Sequence, residues 1–367
     1  MFSPSMEEVL PENLILDILS RLPVKTIIRC KCVCKKWRDL VSDPYFVQLH
    51  LSRSRQCLMI HEGKTVDLQE RLQWVEIEHD NLDPVKTLDR DSFPVGSVNG
   101  LICCCVPYDN SIHVFNPVLE ENMLLPKPEL KIEGSMSYGF GVSMDGEYKV
   151  ILRGRRKPDY MPYEYEVDVY TLGTDQWRVL GQTLDDLNKM RCGPGVFLNS
   201  HVYWLGIYGQ IYDFDLTTET SELFPPPPGW EKLESKKMLG VLKGRLSRIC
   251  WCSLALDLWV MKGDSWYKEI AIIQEIISLT PKSEPLCLMD GLNGTSVLML
   301  LDKETNQFVA YCLNTNTILH LEWPGCLYRI SYIMTYCPSF VKLITNWIRV
   351  SSRGVQLQLV ISHPLRS

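Results

Sequence analysis

The stretch VDVYTLGTDQWRVL, residues 167–180, places an aromatic, Tyr170, in the middle of a strand-like run. A polar turn follows, and then a second strand-like run. HVFNP (113–117), IYDFDL (211–216), DLWVM (257–261) and FVAYCL (308–313) have the same build. Three of these lead through polar turns into LTTETSELF, MKGDSWYKEI and LNTNTILHL. The mid-strand aromatics are Phe115, Tyr170, Phe214, Trp259 and Tyr311, at successive spacings of 55, 44, 45 and 52 residues. RLQWVEIEH (71–79) reads as a degenerate earlier copy, with Trp74 lying 41 residues before Phe115.

A glycine-led strand precedes most copies: NGLICCC (99–105), YGFGVSM with YKVILRG (138–154), GPGVFLNSHVYWLG (193–206) and LGVLKGRLSRICWC (239–252). Each repeat thus supplies about four short strands in roughly 45 to 50 residues, the length of a propeller blade. One four-stranded sheet cannot cover both of its faces, whereas a ring of them can. The count is about six blades, and residues 326–350 are expected to supply the strand that closes the ring. A large irregular β-sandwich is the alternative arrangement. In NGLICCC, strand alternation puts Cys103 and Cys105 on one face and Cys104 on the other, as compact core residues.

The first 51 residues read differently. From Pro11 to Leu22, Leu14, Ile15, Ile18, Leu19 and Leu22 form one broad apolar stripe at helical spacing. Pro11 suits a first helical position and Pro23 stops the helix. A second helix is expected over Val24–Cys32, with Ile27 and Ile28 inward, and a third from about Val33, with Trp37, Leu40 and Val41 on one face. Asp43 and Pro44 are expected to start a fourth, carrying Phe46, Val47 and Leu49.

The head resembles the F-box of plant F-box proteins. The resemblance lies in Leu10-Pro11, the apolar helix, RLPVK (21–25), CVCKKWRDL (32–40) and SDPYF (42–46). The body resembles the F-box-associated, kelch-like propeller in SVNGL (97–101), VFNP (114–117), YGFGVSMDGEYKV (138–150), VDVYTLGTDQWRVL (167–180), LGVLKGRL (239–246) and LDLWVMKG (256–263). It departs from that pattern at Val142–Gly146, where relatives usually carry a longer polar turn, and at Glu120–Met123, where they often have an aromatic. The fold class is therefore expected to be α+β and multidomain. A helical F-box at 1–51 would be followed by an all-β propeller-like domain at 52–350 and a tail at 351–367.

The resemblance implies a substrate receptor. Its F-box would join a Skp1-type adaptor and, through it, a cullin and a RING subunit, while the propeller would hold a protein target for ubiquitination and degradation. A propeller scaffold that joins an adaptor without degradation is the alternative. A domain of about 40 residues cannot bury enough surface to be robust alone. Leu10, Pro11, Leu14, Ile15, Ile18, Leu22, Pro23 and Val24 are accordingly the expected adaptor contacts. Trp37 is expected to pack within the head, near the body.

Three stretches read as long rim loops: 153–165, 225–237 and 278–294. In the first, Arg153, Arg155, Arg156 and Lys157 are placed to attract an acidic or phosphorylated segment, with Tyr160 and Tyr163 beside them. Trp230, in the second, is a candidate anchor.

Other chemistries find little support. A net charge of −6 argues against a general nucleic-acid binder. The basic run RCKCVCKKWR (29–38) reads as a solvated face or a contact for an acidic patch on the adaptor. No apolar run approaches the roughly 20 residues of a membrane span, and the acidic N-terminus does not read as a secretory signal. The 14 cysteines lack the spacing of a disulfide framework, which suggests a reducing compartment, cytoplasm or nucleus. The NGT at Asn293 then reads as a turn. Cys30, Cys32 and Cys34, taken on one continuous helix, would point apart and chelate nothing. No phosphate loop, nucleophile elbow or paired histidine motif is present, so neither catalysis nor a cofactor is expected.

Overall fold

The computed structural model describes residues 11–63, 70–78, 81–88, 92–106, 109–128, 136–156, 164–180, 190–228, 236–251, 255–273, 283–290, 295–302, 304–305, 307–324 and 330–343. Four short helices come first: α1 (Glu12–Leu19), α2 (Val24–Cys30), α3 (Lys35–Val41) and α4 (Pro44–Arg53). Pro11 and Pro23 stand immediately before α1 and α2, where a missing N–H costs nothing. The Asp43 side chain caps α4 by accepting the Tyr45 N–H at 2.8 Å, with Pro44 at the first position. The Cys34 thiol caps α3 by accepting the Trp37 N–H at 3.4 Å. Cys30 therefore ends one helix and Cys34 caps the next, so the three cysteines do not share one continuous helix, in keeping with a break expected near Val33.

The remaining chain builds six antiparallel sheets in a ring. From the centre outward, blade 2 runs Phe93–Val98, Leu101–Val106, Ser111–Asn116 and Glu121–Leu124. Blade 3 runs Ser137–Val142, Tyr148–Arg156, Glu164–Thr171 and Arg178–Val179, with Gly193–Pro194 added parallel on its inner edge. Blade 4 is Val196–Leu198, His201–Leu205, Ile211–Asp215 and Thr220–Phe224. Blade 5 is Lys236–Leu242, Arg245–Trp251, Ala255–Lys262 and Ser265–Ile273. Blade 6 is Ser283–Asp290, Ser296–Asp302, Gln307–Cys312 and Thr317–Leu321.

Blade 1 is composite. Its outer three strands, Cys57–Glu62, Arg71–Glu78 and Asn81–Leu88, follow the head directly, and its inner strand is Ile330–Tyr336 from the far end of the chain. Cys57 pairs with Tyr336 and Ile60 with Ile333, so the ring closes through backbone hydrogen bonds between segments some 270 residues apart.

All six repeat aromatics fall on the third strand of their blades. Trp74, Phe115, Tyr170, Phe214 and Tyr311 are buried there. Trp259 is only half-buried: a bulge between Leu258 and Trp259 gives the core position to Leu258. Each junction between neighbouring blades has its own apolar core. Cys103 and Cys105 belong to the core between blades 2 and 3, and Cys104 to the one between blades 1 and 2.

That last core also contains the inner face of the head. Ile15, Leu19, Val24, Ile27, Leu40, Val41 and Phe46 pack in one cluster with Trp74, Ile102, Cys104 and Phe115. Trp37 packs against it, half-buried. A strap of residues 337–343 leaves the closing strand and runs beneath the head. Its Phe340 ring lies 6.4 Å from Phe46 and 5.3 Å from His50, with the Lys31 ammonium 4.8 Å from its centre. The Asn116 amide donates to the carbonyls of Ser339 and Val341 at 3.1 and 2.6 Å. Ser339 Oγ donates to the Asn99 carbonyl. Asn99 and Gly100 form a two-residue hairpin with positive φ at both. A β-carbon on Gly100 would fall 2.1 Å from Ser339 Oγ, so the strap can cross only a glycine.

Alternation of antiparallel strands gives the ring two distinct faces. Turns between first and second strands, and between third and fourth, open on one; second-to-third turns and links to the next blade open on the other. The head occupies the first face, because the strap crosses the Asn99–Gly100 turn, and Val118 and Leu119, from the third-to-fourth turn of blade 2, join the head core.

Phe340→Ala is expected to cost about 3 kcal/mol, read as a fall in the denaturant midpoint at unchanged slope. Burial holds the His50 pKa below its ordinary value, partly offset by a hydrogen bond to the Leu22 backbone. The unfolded chain then binds the extra proton below about pH 6.5, so stability is full above that pH and falls as pH drops through it. His50→Phe is expected to flatten that fall in denaturation curves taken between pH 7.5 and 5.

Candidate functional site

The inner side of α1 is buried in the core that the head shares with blades 1 and 2, and the outer side is not. Ile15 and Leu19 are buried, whereas Leu14 and Ile18, one turn apart, remain 47% and 50% exposed. Pro11 and Pro23 are exposed at the starts of α1 and α2. Asp17 lies on the same helix, gripped by Arg21 at 3.1 Å and by Arg53 at 2.7 Å. The hydrogen bonds from these two guanidinium groups hold the Asp17 pKa below its ordinary value. The pairing links α1 to the end of α4, so Leu14 and Ile18 are presented from a fixed helix.

The eight residues expected to meet an adaptor therefore divide. Pro11, Leu14, Ile18 and Pro23 are exposed. Leu22 is half-buried against the head core. Ile15 and Val24 are buried, because the stripe on α1 is wide enough to serve two surfaces and the core shared with blades 1 and 2 takes its inner half; they hold the joint and are not part of an outer surface. Leu10 lies outside the described residues.

Two exposed apolar residues were missed. Ile28 points outward, not inward, since neighbours about 100° apart on a seven-residue helix cannot both face a core already filled by Ile27. Val33 is exposed between α2 and α3. In the basic run, Arg29, Lys35, Lys36 and Arg38 are exposed, and Lys31 turns toward Phe340.

The residues expected to meet a target fare differently. Residues 153–156 and 164–165 are strand, not loop, paired from Arg153–Val167 to Arg156–Glu164. Strand alternation turns Arg153 inward, where it is buried and donates to Ser137 Oγ at 3.0 Å; it is not a free surface cation. Arg155 and Arg156 pair through their backbones with Tyr165 and Glu164. Their side chains, and the whole of Tyr160, Tyr163 and Trp230, lie outside the described residues. The third expected loop also shrinks, because Ser283–Asp290 is the inner strand of blade 6.

The inner strands surround a central cavity of about 480 Å³, whose wall includes Arg191, Lys237 and Tyr332. Among the described residues, no group of three or more His, Cys, Asp or Glu side chains is placed to hold a metal ion.

These features define a class: a helical docking head fused through one core to a six-bladed propeller. The sequence matches the F-box domain over residues 8–49 and the F-box associated beta propeller domain over residues 48–343. The chain belongs to the F-box proteins that carry an F-box-associated propeller. It is similar to the F-box/kelch-repeat protein At3g23880 of Arabidopsis thaliana, with 29% identity over 336 residues, covering 80% of this chain and 85% of that protein. It is also similar to the F-box protein CPR1 of the same plant, with 27% identity over 305 residues, covering 72% and 73%.

Leu14→Ser with Ile18→Ser is expected to change unfolding free energy by no more than about 1 kcal/mol, whereas Ile15→Ala alone costs about 3 kcal/mol. Urea denaturation of the two variants checks the division of α1 into an open and a buried side.

Proposed function

We propose that this chain is the target-recognition subunit of a Skp1–cullin–F-box ubiquitin ligase. The outer ridge of the head, Leu14 and Ile18 with Pro11 and Pro23, docks a Skp1-type adaptor, which brings the cullin and the RING subunit. The propeller holds a target protein. The observation that carries this reading is the divided stripe on α1: its inner half is buried in the core that the head shares with blades 1 and 2, and its outer half stays open on a helix pinned by Arg21 and Arg53. Membership of the F-box proteins supplies the class of partner. Burying a Leu or Ile contributes roughly 1.5–3 kcal/mol when complete. Two half-exposed anchors with flanking prolines suit the centre of an interface of ordinary size.

In this role the chain supplies no catalytic group. It accelerates ubiquitin transfer by holding target lysines near the loaded carrier enzyme, an effect of local concentration. The head and the second-to-third turns lie on opposite faces of the ring, so an adaptor and a target need not compete for one surface. The reading places the chain in the cytoplasm or the nucleus.

Leu14→Asp with Ile18→Asp is expected to weaken binding to a Skp1-type adaptor by 30-fold or more, about 2 kcal/mol, with the melting temperature of the free chain unchanged. Calorimetric titration of the adaptor into both proteins measures this; equal affinities would remove the ridge from the interface.

A further inference from the structure

Arg248, in the second strand of blade 5, is a buried charge with no carboxylate among its described partners. It is fully buried. Its Nη1 donates to the Gly209 carbonyl at 2.9 Å, but Nε and Nη2 find no oxygen acceptor. A buried guanidinium ordinarily comes with a carboxylate. Here the place of the carboxylate is taken by the Cys250 thiol, a weak hydrogen-bond acceptor, with a second cation, Arg191, nearby.

Lys237 reaches the same place from the inner strand. A β-carbon on Gly209 would lie 2.8 Å from Arg248 Nη2 and 3.2 Å from Lys237 Nζ. Two cationic nitrogens thus converge on one point above a glycine held at φ +97. Burial, and then the like charges of Arg248 and Arg191, hold the Lys237 pKa below its ordinary value. Lys237 and Arg191 line the central cavity; Arg248 is not part of that lining and meets Lys237 at the Gly209 turn. Ile207 and Tyr208, in the same turn as Gly209, are 52% and 54% exposed and form an apolar rim. That turn joins the second and third strands of blade 4, and Lys237 is the second residue of the inner strand of blade 5. Both positions are on the ring face away from the head.

We propose that this notch between blades 4 and 5 binds the oxyanion of an acidic target segment, a carboxylate or a phosphate, with an apolar neighbour seated on Ile207 and Tyr208. The anion supplies the oxygen acceptors that Arg248 Nε and Nη2 lack, and a guanidinium fork suits a group with two oxygens. The proposal rests on the reading of the propeller as the target-holding body, and it moves the basic recognition point from blade 3 to the junction of blades 4 and 5.

The test uses the full chain and three fluorescent peptides that differ at one position: glutamate, phosphoserine or serine, each followed by leucine. Melting in sodium phosphate is compared with melting in sodium chloride at equal ionic strength. One acidic peptide is expected to bind at least tenfold more tightly than the serine peptide; which of the two does so identifies the source of the oxyanion. Phosphate is expected to raise the melting temperature of the wild type and of Lys262→Met, a surface variant of the same blade. Arg248→Met and Lys237→Met each abolish both effects. Arg191→Ala, at an exposed position, weakens them and guards against a misfolded Arg248 variant. Adaptor affinity is measured in parallel and stays unchanged, which separates this proposal from that of the head. Equal binding of the three peptides overturns it. So does a phosphate response that survives in either Arg248→Met or Lys237→Met, or one that appears with no peptide preference, which marks an adventitious ion only.

Discussion

The head is too small to complete its own core, and everything else about it follows from where it finds the rest. Its four helices average about two turns each, and their inner residues close only against the junction of blades 1 and 2 and against Phe340. This contact fixes the rotation of α1 about its axis. With Ile15 and Leu19 buried in the core shared with blades 1 and 2, Leu14 and Ile18 face outward. Docking to the body and exposure of the ridge are thus two consequences of one packing decision. A head free to turn would present no defined surface to a partner.

The strap that makes this contact is also the continuation of the strand that closes the ring. Residues 330–336 complete blade 1, and residues 337–343 then run under the head and over the Asn99–Gly100 turn. Closure of the propeller and seating of the head are therefore coupled through a single segment, stapled by Asn116 and Glu121 of blade 2. The coupling gives the molecule a fixed polarity. One face carries the head, and the opposite face carries the second-to-third turns and the starts of the inner strands, where Arg248 and Lys237 converge.

Much of this was legible in the sequence, for reasons that differ by element. The repeat aromatics report the blades directly, because five of the six are buried from the same strand of their sheets and the sixth, Trp259, still marks that strand; even the degenerate Trp74 copy lands on the third strand. The alternation in NGLICCC divides its cysteines correctly between two cores, since a strand buried on both faces leaves no other option. What the sequence hides is which half of a wide apolar stripe is spent inside the chain. Leu14, Ile15, Ile18 and Leu19 look alike at helical spacing, and what separates them is a core assembled from distant parts of the chain, among them Trp74, Ile102 and Phe340. Arg153 misled because a run of bases beside tyrosines resembles a loop, while its alternation with Leu152 and Gly154 is that of a strand with one residue turned inward. Arg248 carried no signal at all. A lone arginine in LSRIC gains meaning only when Lys237 and Gly209 are brought against it from other strands.

Hydrogen exchange of the full chain, alone and saturated with a Skp1-type adaptor, tests the central claim most directly. Amides within residues 11–34 are expected to slow on binding, while those of the strap and of blades 1 and 2 stay as they were. Unchanged exchange across the head, or slowing confined to the propeller, would contradict it.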